Sequence, residues 1–369
     1  MKEPMTWKER IMTVFSGQTP DRMPWFPRMH LWHAAHEKMG TLPEQYRGWS
    51  LEDILRDLGA GINGHSKVHS EEYKGVAIRK EQQGDREIYL YETPFGTLRN
   101  VWANPPSQAR MALRAFQVEH MVKGPGDFDA LHYLLDRLVI REDYAAFEAD
   151  VRRIGVDGVA IAYMGPSPFQ RFLRTYMGFE KGFVQIMETP QKVQGILQRL
   201  REICLEVVRV VAESPAEIVN LGDNLTVLLQ SPAVFREHYL PFYQEACAIL
   251  QRSGKKVAVH GDGEMKPLLP LLKDSGVDAV ESFSPDPMTG CTLDEALKLA
   301  DGRYIIWGGI PSILLCDPTT DAEFDAFMDH LFQLVSPGNP FVLSVGDNVM
   351  PEAHLDRVQR VCRIVREGW

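Results

Sequence analysis

The feature that most constrains the fold of this chain is a repeated alternation between short apolar runs and longer amphipathic segments. Runs of strand length lie near 23–28, 59–65, 157–163, 217–222, 256–260, 278–282, 304–309 and 341–346. Segments of helical period follow several of the later runs, at 231–254, 264–276, 292–302 and 320–338. Several of these segments begin at a Ser, Thr or Asp and end at a glycine, as helices between parallel strands tend to. Eight alternations predict an α/β fold of the (β/α)8 TIM barrel type.

Residues 68–150 interrupt this alternation after the second predicted strand. They contain the strand-like pieces 74–83 and 86–103 and lead into a helical stretch that ends at Gly155. We therefore predict a single barrel domain over 1–369 with a hairpin-containing insertion at about 68–150, folded over the mouth of the barrel. Covering the substrate, stabilising the fold and contacting another subunit all remain open as its role.

The charge balance argues against two classes of partner. The 369-residue chain has a formal net charge of -10 and no basic patch, so we expect no nucleic-acid or membrane-surface binding. No apolar stretch approaches the ~20 residues of a spanning helix, and none forms a secretion signal. Five scattered cysteines without a CxxC pair suit reduced thiols. We expect a cytoplasmic protein with a small-molecule substrate, and a homodimer is compatible with the sequence.

Polar and ionisable residues stand at the ends of the predicted strands. They are Arg28 with His30, His65, Tyr163, Asp223 with Asn224, His260 with Asp262, Glu281, and Asp347 with Asn348. Each has a structural alternative: Asp223 or Asp347 would suit a helix cap, and His30 or His65 an ordinary surface position. Barrel enzymes place their chemistry at the C-terminal ends of the strands, so the convergence of these groups predicts a site there.

The most concentrated of these strand ends is KVAVHGDG, residues 256–263. If the strand geometry persists, His260 and Asp262 point to the same side, and the flanking glycines allow a ligand to approach closely. Imidazole and carboxylate together suit a divalent metal, a proton relay, or an acid that orients the histidine. Near the expected mouth, Trp25 and Phe26 point in opposite directions, so at most one of them faces inward.

Several motifs resemble the uroporphyrinogen decarboxylase superfamily, which also contains the barrel methyltransferases that supply corrinoid proteins. They are MTWKERIMTVFSGQTPDRMPWF from Met5, MGPSPFQRFLRTYMGFEKGF from Met164, the segment from Gly222 to Pro232, HGDGEMKPLLPLLKDSGVDAVESFSP from His260, WGGIP from Trp307, and the run from Ser336 to Pro351. The resemblance spans nearly the whole chain and implies a TIM barrel; residues 68–150 match least.

Two positions separate this chain from uroporphyrinogen decarboxylases themselves. Those enzymes carry an arginine-rich RQAGRY-like segment after the first strand and an aspartate at the end of the second strand. Here PRMHLWHAAHEKMG keeps Arg28 and loses the second arginine, and GAGINGHSK contains no acid. The resemblance therefore does not imply decarboxylation of a porphyrinogen, whose many carboxylates need such a cluster.

The zinc methyltransferases of the superfamily carry a His-x-Cys pair after the fifth strand and a further Cys after the eighth. His260 matches the histidine, while Asp262 and Asp347 stand where the cysteines are expected. The resemblance thus implies a metal set of His260, Asp262 and Asp347 that holds zinc or a harder divalent ion. With carboxylates in place of thiolates, the metal or an acid would act on an oxygen or nitrogen atom rather than a thiol.

The resemblance accordingly implies an enzyme that demethylates a small O- or N-methyl compound. The acceptor would be cob(I)alamin on a separate corrinoid protein, because the chain has no DxHxxG segment of its own. Asp262, Glu281 and Tyr163 are the candidates for protonating the leaving atom. The predicted substrate contacts are Arg28, His30, Trp25, Asp223 and Asn224. Two alternatives stay open: a metal-free carboxy-lyase on a small carboxylic acid with Arg28 as the carboxylate clamp, and a non-catalytic ligand-binding barrel.

Overall fold

The structure, a computed structural model, describes residues 4–367. Residues 1–3 and 368–369 of the predicted domain lie outside the described residues. The strands are β1 (Ile62–Ser66), β2 (His69–Tyr73), β3 (Ala77–Gln83), β4 (Arg86–Thr93), β5 (Gly96–Ala103), β6 (Phe116–Glu119), β7 (Leu138–Glu142), β8 (Gly158–Tyr163), β9 (Ile218–Asn224), β10 (Lys256–His260), β11 (Ala279–Phe283), β12 (Ile305–Ile310) and β13 (Phe341–Val345).

The helices alternate with the later strands. They are α1 (Trp7–Phe15), α2 (His30–Met39), α3 (Leu51–Leu58), α4 (Pro106–Arg110), α5 (Phe128–Leu135), α6 (Ala145–Ile154), α7 (Pro168–Arg171), α8 (Phe179–Glu188), α9 (Pro190–Glu213), α10 (Pro232–Val234), α11 (Leu240–Arg252), α12 (Leu269–Leu272), α13 (Leu293–Ala300), α14 (Asp321–Leu334) and α15 (Leu355–Glu367). Among the described residues, no helix combines the length and the apolar character needed to cross a membrane.

Seven strands form one curled parallel sheet in the order β1, β8, β9, β10, β11, β12, β13. These strands coincide with seven of the eight apolar runs, so the α/β class is confirmed. Capping boxes begin the helices at Thr292 and Thr320, in agreement with the predicted starts of α13 and α14. The predicted helix over 264–276 is reduced to the single turn of α12, because Pro267 and Pro270 interrupt its backbone hydrogen bonding.

The first apolar run, 23–28, is not a regular strand. Its one ladder contact is an isolated parallel bridge between Trp25 and Leu343 of β13. The Phe26 amide donates to the Leu343 carbonyl at 3.0 Å, and the Gly61 amide, just before β1, donates to the Trp25 carbonyl at 2.8 Å. Two prolines, at positions 24 and 27, have no N–H group and prevent a longer ladder. The run therefore lies between the last and first strands of the sheet.

The concave side of the sheet holds a small apolar cluster that is separate from the main core. Its members include Phe26, Ile161, Ala258, Ala279 and Trp307, which alternate along their strands with residues of the outer core. Three residues of α1 complete the cluster: Ile11, Val14 and Phe15. This helix thus closes the end of the sheet at which the strands begin, and the end at which they finish stays open.

Residues 67–157 lie between β1 and β8 along the chain. Strands β3, β4, β5 and β6 form an antiparallel sheet of their own, and β2 pairs with β7. Helix α4, which follows β5, packs against α2. Strand β6 of this sheet meets the segment Phe172–Met177, a π-helical turn that follows β8, where the Gln117 side-chain amide donates to the Thr175 carbonyl at 3.1 Å.

Candidate functional site

Charged side chains from four sequence-distant segments meet at the open end of the sheet. His260 ends β10 and Glu281 lies in β11, each two residues beyond an alanine of the concave cluster. Arg28 stands two residues beyond Phe26, which belongs to the same cluster. Because side chains alternate across a strand, all three side chains share the concave face. Asp347 reaches the same place from the segment after β13.

Glu281 is the centre of this arrangement. Its Oε2 atom lies 2.8 Å from Nδ1 of His260, and its Oε1 atom accepts a hydrogen bond from Nη1 of Arg28 at 3.3 Å. The Ser282 hydroxyl donates to the same Oε1 atom at 2.9 Å and accepts from Arg28 Nη1 at 2.9 Å. Only 3% of Glu281 is exposed, so these contacts replace the water that a carboxylate normally needs.

The protonation states follow from these contacts. Burial alone would raise the pKa of Glu281, but Arg28 and His260 hold it well below its ordinary value. Burial alone would lower the pKa of His260, yet Glu281 and Asp262 raise it to about 9. Near neutral pH and without a bound cation, Glu281 is therefore a carboxylate and His260 an imidazolium. In that state both ring nitrogens of His260 carry protons, and Nδ1 donates to Glu281.

The other ring nitrogen of His260 faces two carboxylates. Its Nε2 atom lies 3.5 Å from Oδ2 of Asp262 and 3.9 Å from Oδ1 of Asp347. One ligand atom from each of the three residues lies within 4.8 Å of the others. Although burial opposes it, the hydrogen bond and charge of His260 lower the pKa of Asp262, so this group is ionised. One imidazole nitrogen and two carboxylates form a donor set that suits a divalent cation.

Two residues of the site have left-handed backbone conformations that are unusual for side chains other than glycine. Ser282 has φ 66° and Asp347 has φ 59°. The conformation of Ser282 places its hydroxyl between Arg28 and Glu281, whereas a regular strand would turn it to the outer face. Sequence reasoning did not select Ser282, and nothing in the residue pattern identifies this change of backbone conformation.

Comparison with known proteins gives this arrangement a family context. The model of the family described as uroporphyrinogen decarboxylase matches residues 157–368, more than half of the chain. The chain belongs to the uroporphyrinogen decarboxylase family. The resemblance inferred from the motifs is thereby confirmed at the level of the family. No curated protein sequence matches the chain.

A methyltransferase from Methanosarcina mazei has a similar solved structure. Its TM-score is 0.61 at 15% identity, over 98% of this chain and 99% of that one. At this identity the likeness shows a shared fold. A Rubisco from Pyrococcus horikoshii (12% identity, 99% of this chain and 61% of that one) and an endoglucanase from an uncultured bacterium (9% identity, 99% and 97%) reach a TM-score of only 0.35, which carries no argument.

Within this member of the uroporphyrinogen decarboxylase family, Asp223 is turned away from the cluster. It shares a face of β9 with the core residues Val219 and Leu221. Its carboxylate accepts from the Ser167 amide at 2.7 Å and from the Tyr243 hydroxyl at 2.8 Å. Burial raises the pKa of Asp223 to about 6 despite these bonds. The predicted substrate contact at Asp223 is thus replaced by a structural role, because its strand position faces the helices.

Three further predicted site residues, Trp25, Asn224 and Tyr163, lie in different environments. Trp25 is fully buried in the outer core, where its indole N–H points to the Cys362 thiol at 3.2 Å, so the structure does not support a substrate contact there. Asn224 is exposed beside His260, with which it is paired in the sheet. Tyr163 belongs to the concave face and donates its hydroxyl proton to the Gly222 carbonyl at 3.0 Å. Burial raises the pKa of Tyr163, so the phenol stays protonated.

Two histidines lie near Arg28 at the open end. Burial and the charge of Arg28 lower the pKa of His30 to about 4. Burial lowers the pKa of His65 to about 3, so both imidazoles are neutral. The Nε2 atom of His65 is buried and has no hydrogen-bond partner among the described residues. A buried polar atom of this kind is costly unless a bound molecule or water satisfies it.

Proposed function

We propose that this protein is an enzyme that removes a methyl group from a small O- or N-methyl compound and transfers it to a corrinoid carried by a separate protein. The observation that carries the proposal is the convergence of His260, Asp262 and Asp347 at the open end of the sheet. Family membership and the fold shared with a methyltransferase support it. We take the sheet, together with the run 23–28, as a complete (β/α)8 barrel whose mouth is the active site.

The chemical problem in such a reaction is the leaving atom. An ether oxygen or an amine nitrogen leaves poorly unless its developing negative charge is stabilised. A divalent ion, zinc or a harder cation, held by His260 Nε2, Asp262 and Asp347 would act as a Lewis acid towards that atom. Glu281 supports this use, because its contact with Nδ1 keeps a proton there and presents the Nε2 lone pair to the mouth.

Proton transfer is the other way to assist the leaving atom, and two of the three candidate proton donors are excluded by their pKa values. The pKa values of Asp262 and Glu281 are both lowered, so neither group holds a proton to donate near neutral pH. Without a metal, the acid of the cluster is the His260 imidazolium, and Tyr163 is a second protonated group on the same face. Metal and proton exclude each other at Nε2, so the metal content decides between the two mechanisms.

The carboxy-lyase alternative receives no support from the position of Arg28. A clamp for a substrate carboxylate needs a free guanidinium group. Arg28 instead contacts Glu281 at 3.3 Å and lies 3.8 Å from Asp347. These contacts are all made by Nη1, so a substrate carboxylate bound at that nitrogen would compete with Glu281 and Asp347.

Metal analysis tests the ligand set. Protein purified without chelator is compared with His260→Ala and Asp347→Ala, and with Asp329→Ala as the control. Asp329 is an exposed residue of α14 outside the cluster. We expect about one divalent ion per chain in the wild type and in Asp329→Ala, and loss of the ion from both cluster variants. A folded wild type that holds no metal would leave His260 as the proton donor and end the metal proposal.

Methyl transfer tests the reaction. Free cob(I)alamin is supplied with methoxylated aromatics and with methylamines, and formation of methylcobalamin is followed by its absorbance. We expect turnover with the wild type and its loss in Asp262→Asn. If the folded, metal-loaded wild type transfers no methyl group from either class, the proposed reaction is wrong, and a ligand-binding barrel becomes the better interpretation.

A further inference from the structure

Two arginines lie on the side of the mouth away from the metal-type cluster. Arg174 belongs to the π-helical turn Phe172–Met177, and Arg114 lies between α4 and β6. Both are exposed, and no ion-pair partner is found for either among residues 4–367. In a chain of net charge -10, such uncompensated cations beside a candidate site favour an anionic ligand.

Hydrogen bonds bring the two arginines to the same region. Gln117 of β6 donates its side-chain amide to the Thr175 carbonyl at 3.1 Å. Just beyond β6, a ring nitrogen of His120 lies 3.1 Å from the Arg174 carbonyl, and the Val122 amide donates to the Tyr176 carbonyl at 3.0 Å. The segment that follows Arg114 is therefore fixed on the turn that carries Arg174.

Tyr163 connects these arginines to the mouth. The charges of Arg174 and Arg114 oppose the rise that burial causes in the pKa of Tyr163, and Arg114 also acts on His30, so both arginines lie within electrostatic range of the end of β8. Since the Tyr163 hydroxyl donates to Gly222, its oxygen remains free to accept from a cation. The two arginines thus border the concave face where β8 ends.

The mouth is consequently asymmetric in charge. Strands β8 and β10 are separated by β9, so their ends lie about 10 Å apart along the sheet. Beside the end of β10, Asp262 and Asp347 face the His260 ring or, on the proposed function, hold a divalent cation, so their negative charges are compensated. At the end of β8, Arg114 and Arg174 have no such partner and would attract an anion. The unpartnered Nε2 atom of His65 belongs to neither arginine, because His65 on β1 lies within electrostatic range of Glu281 and Arg28.

We propose that the substrate is a small methoxylated carboxylate, such as a methoxybenzoate, whose carboxylate is bound by Arg114 and Arg174 while its methoxy group faces His260 and Asp262. Guanidinium groups bind carboxylates through paired, charge-assisted hydrogen bonds, which would fix the direction of the molecule across the mouth. A methylammonium compound has no group that matches the two arginines. The inference rests on the proposed function for the methoxy half and on the arginines for the carboxylate half.

Binding measurements test the carboxylate half without any methyl transfer. Calorimetric titration compares 4-methoxybenzoate with 4-methoxybenzamide, its neutral counterpart, on wild type, Arg114→Gln and Arg174→Gln. The control is Arg252→Gln, an exposed arginine near the opposite end of the sheet that changes the net charge equally. We expect the wild type and the control to prefer the carboxylate by about tenfold or more, with an affinity that falls as salt rises. Each mouth variant should lose most of that preference.

Equal affinity of the wild type for the carboxylate and the amide would overturn the inference, and so would a preference that survives in Arg114→Gln combined with Arg174→Gln. These outcomes are separate from failure of the proposed function. Carboxylate binding without methyl transfer would retain the anion site and reject the reaction. Methyl transfer from neutral anisoles as fast as from methoxybenzoates would retain the reaction and reject the anion site.

Discussion

Asp223 in β9 and Glu281 in β11 are both buried carboxylic acids near the ends of strands of one sheet. Their pKa values are shifted in opposite directions. Asp223 is 1% exposed and Glu281 is 3% exposed, so burial disfavours the charge of both. Glu281 contacts a guanidinium and an imidazole, which lower its pKa, whereas Asp223 has two uncharged hydrogen-bond donors and a pKa raised to about 6. Cationic partners, and not burial, therefore distinguish the carboxylate of the candidate site from the structural one.

The largest test of this comparison replaces each acid by its amide. Glu281→Gln leaves Arg28 and His260 without their buried partner, and breaking such a pair costs about 3–5 kcal/mol. Asp223→Asn keeps an acceptor for the Ser167 amide and removes a charge that burial disfavours, so we expect a loss below about 1 kcal/mol. Urea unfolding at pH 7 with chelator present measures both. Equal losses in the two variants would contradict the comparison.

A second test uses the pH dependence of stability. The pKa of Asp223 rises from its ordinary 3.8 to about 6 on folding, so the folded state binds this proton more tightly. The resulting stabilisation is complete below pH 3.8 and is lost as the pH rises through 6. We expect the unfolding free energy of the wild type, relative to Asp223→Asn, to fall by about 2.4 kcal/mol from pH 4 to pH 7. A flat difference would show that the Asp223 carboxyl titrates normally.

The smallest expected effect comes from one hydroxyl. Tyr243→Phe removes the donor to Oδ2 of Asp223, which should cost about 1–2 kcal/mol at pH 7 and raise the pKa of Asp223 further. The control is Tyr304→Phe, whose hydroxyl donates to the Leu269 carbonyl at 2.9 Å away from any acid. Unfolding curves between pH 5 and pH 8 should show a pH-dependent loss only in Tyr243→Phe. The same loss at every pH in both variants would rule out the role assigned to Tyr243.

The sequence contained part of this distinction. Strand alternation in IVNLGDN puts Asp223 on the face of Val219 and Leu221, which are apolar and belong to the helix side. The substrate contact predicted at Asp223 does not agree with that alternation. The same rule puts Phe26 and Arg28 on the inner face and Trp25 on the outer face, which does not support the substrate contact predicted at Trp25.

Other parts of the structure have no local signal in the sequence. The contact between His260 and Asp347 depends on how the whole sheet curls. The positions of the strands in the sequence predict only that both residues lie at the same end of the sheet. The left-handed backbone at Ser282 depends on tertiary contacts. The two arginines of the proposed carboxylate site are 60 positions apart and come together only through β6. By contrast, the two prolines at positions 24 and 27 are evident in the sequence, and they explain why the run 23–28 does not form a regular strand.

The position of α1 has a consequence for the order of events at the mouth. Phe15 of this helix packs against Trp307, which packs against Phe26, and the Arg28–Glu281 pair lies above them. The concave face is thus covered by α1 at the end where the strands begin, and the charged pair lies at the other end. On the proposed function, a macromolecular acceptor that covers this end would require the small reactant to enter before it docks and the demethylated product to leave after it. The proposal therefore predicts ordered binding, with the small molecule first on and last off.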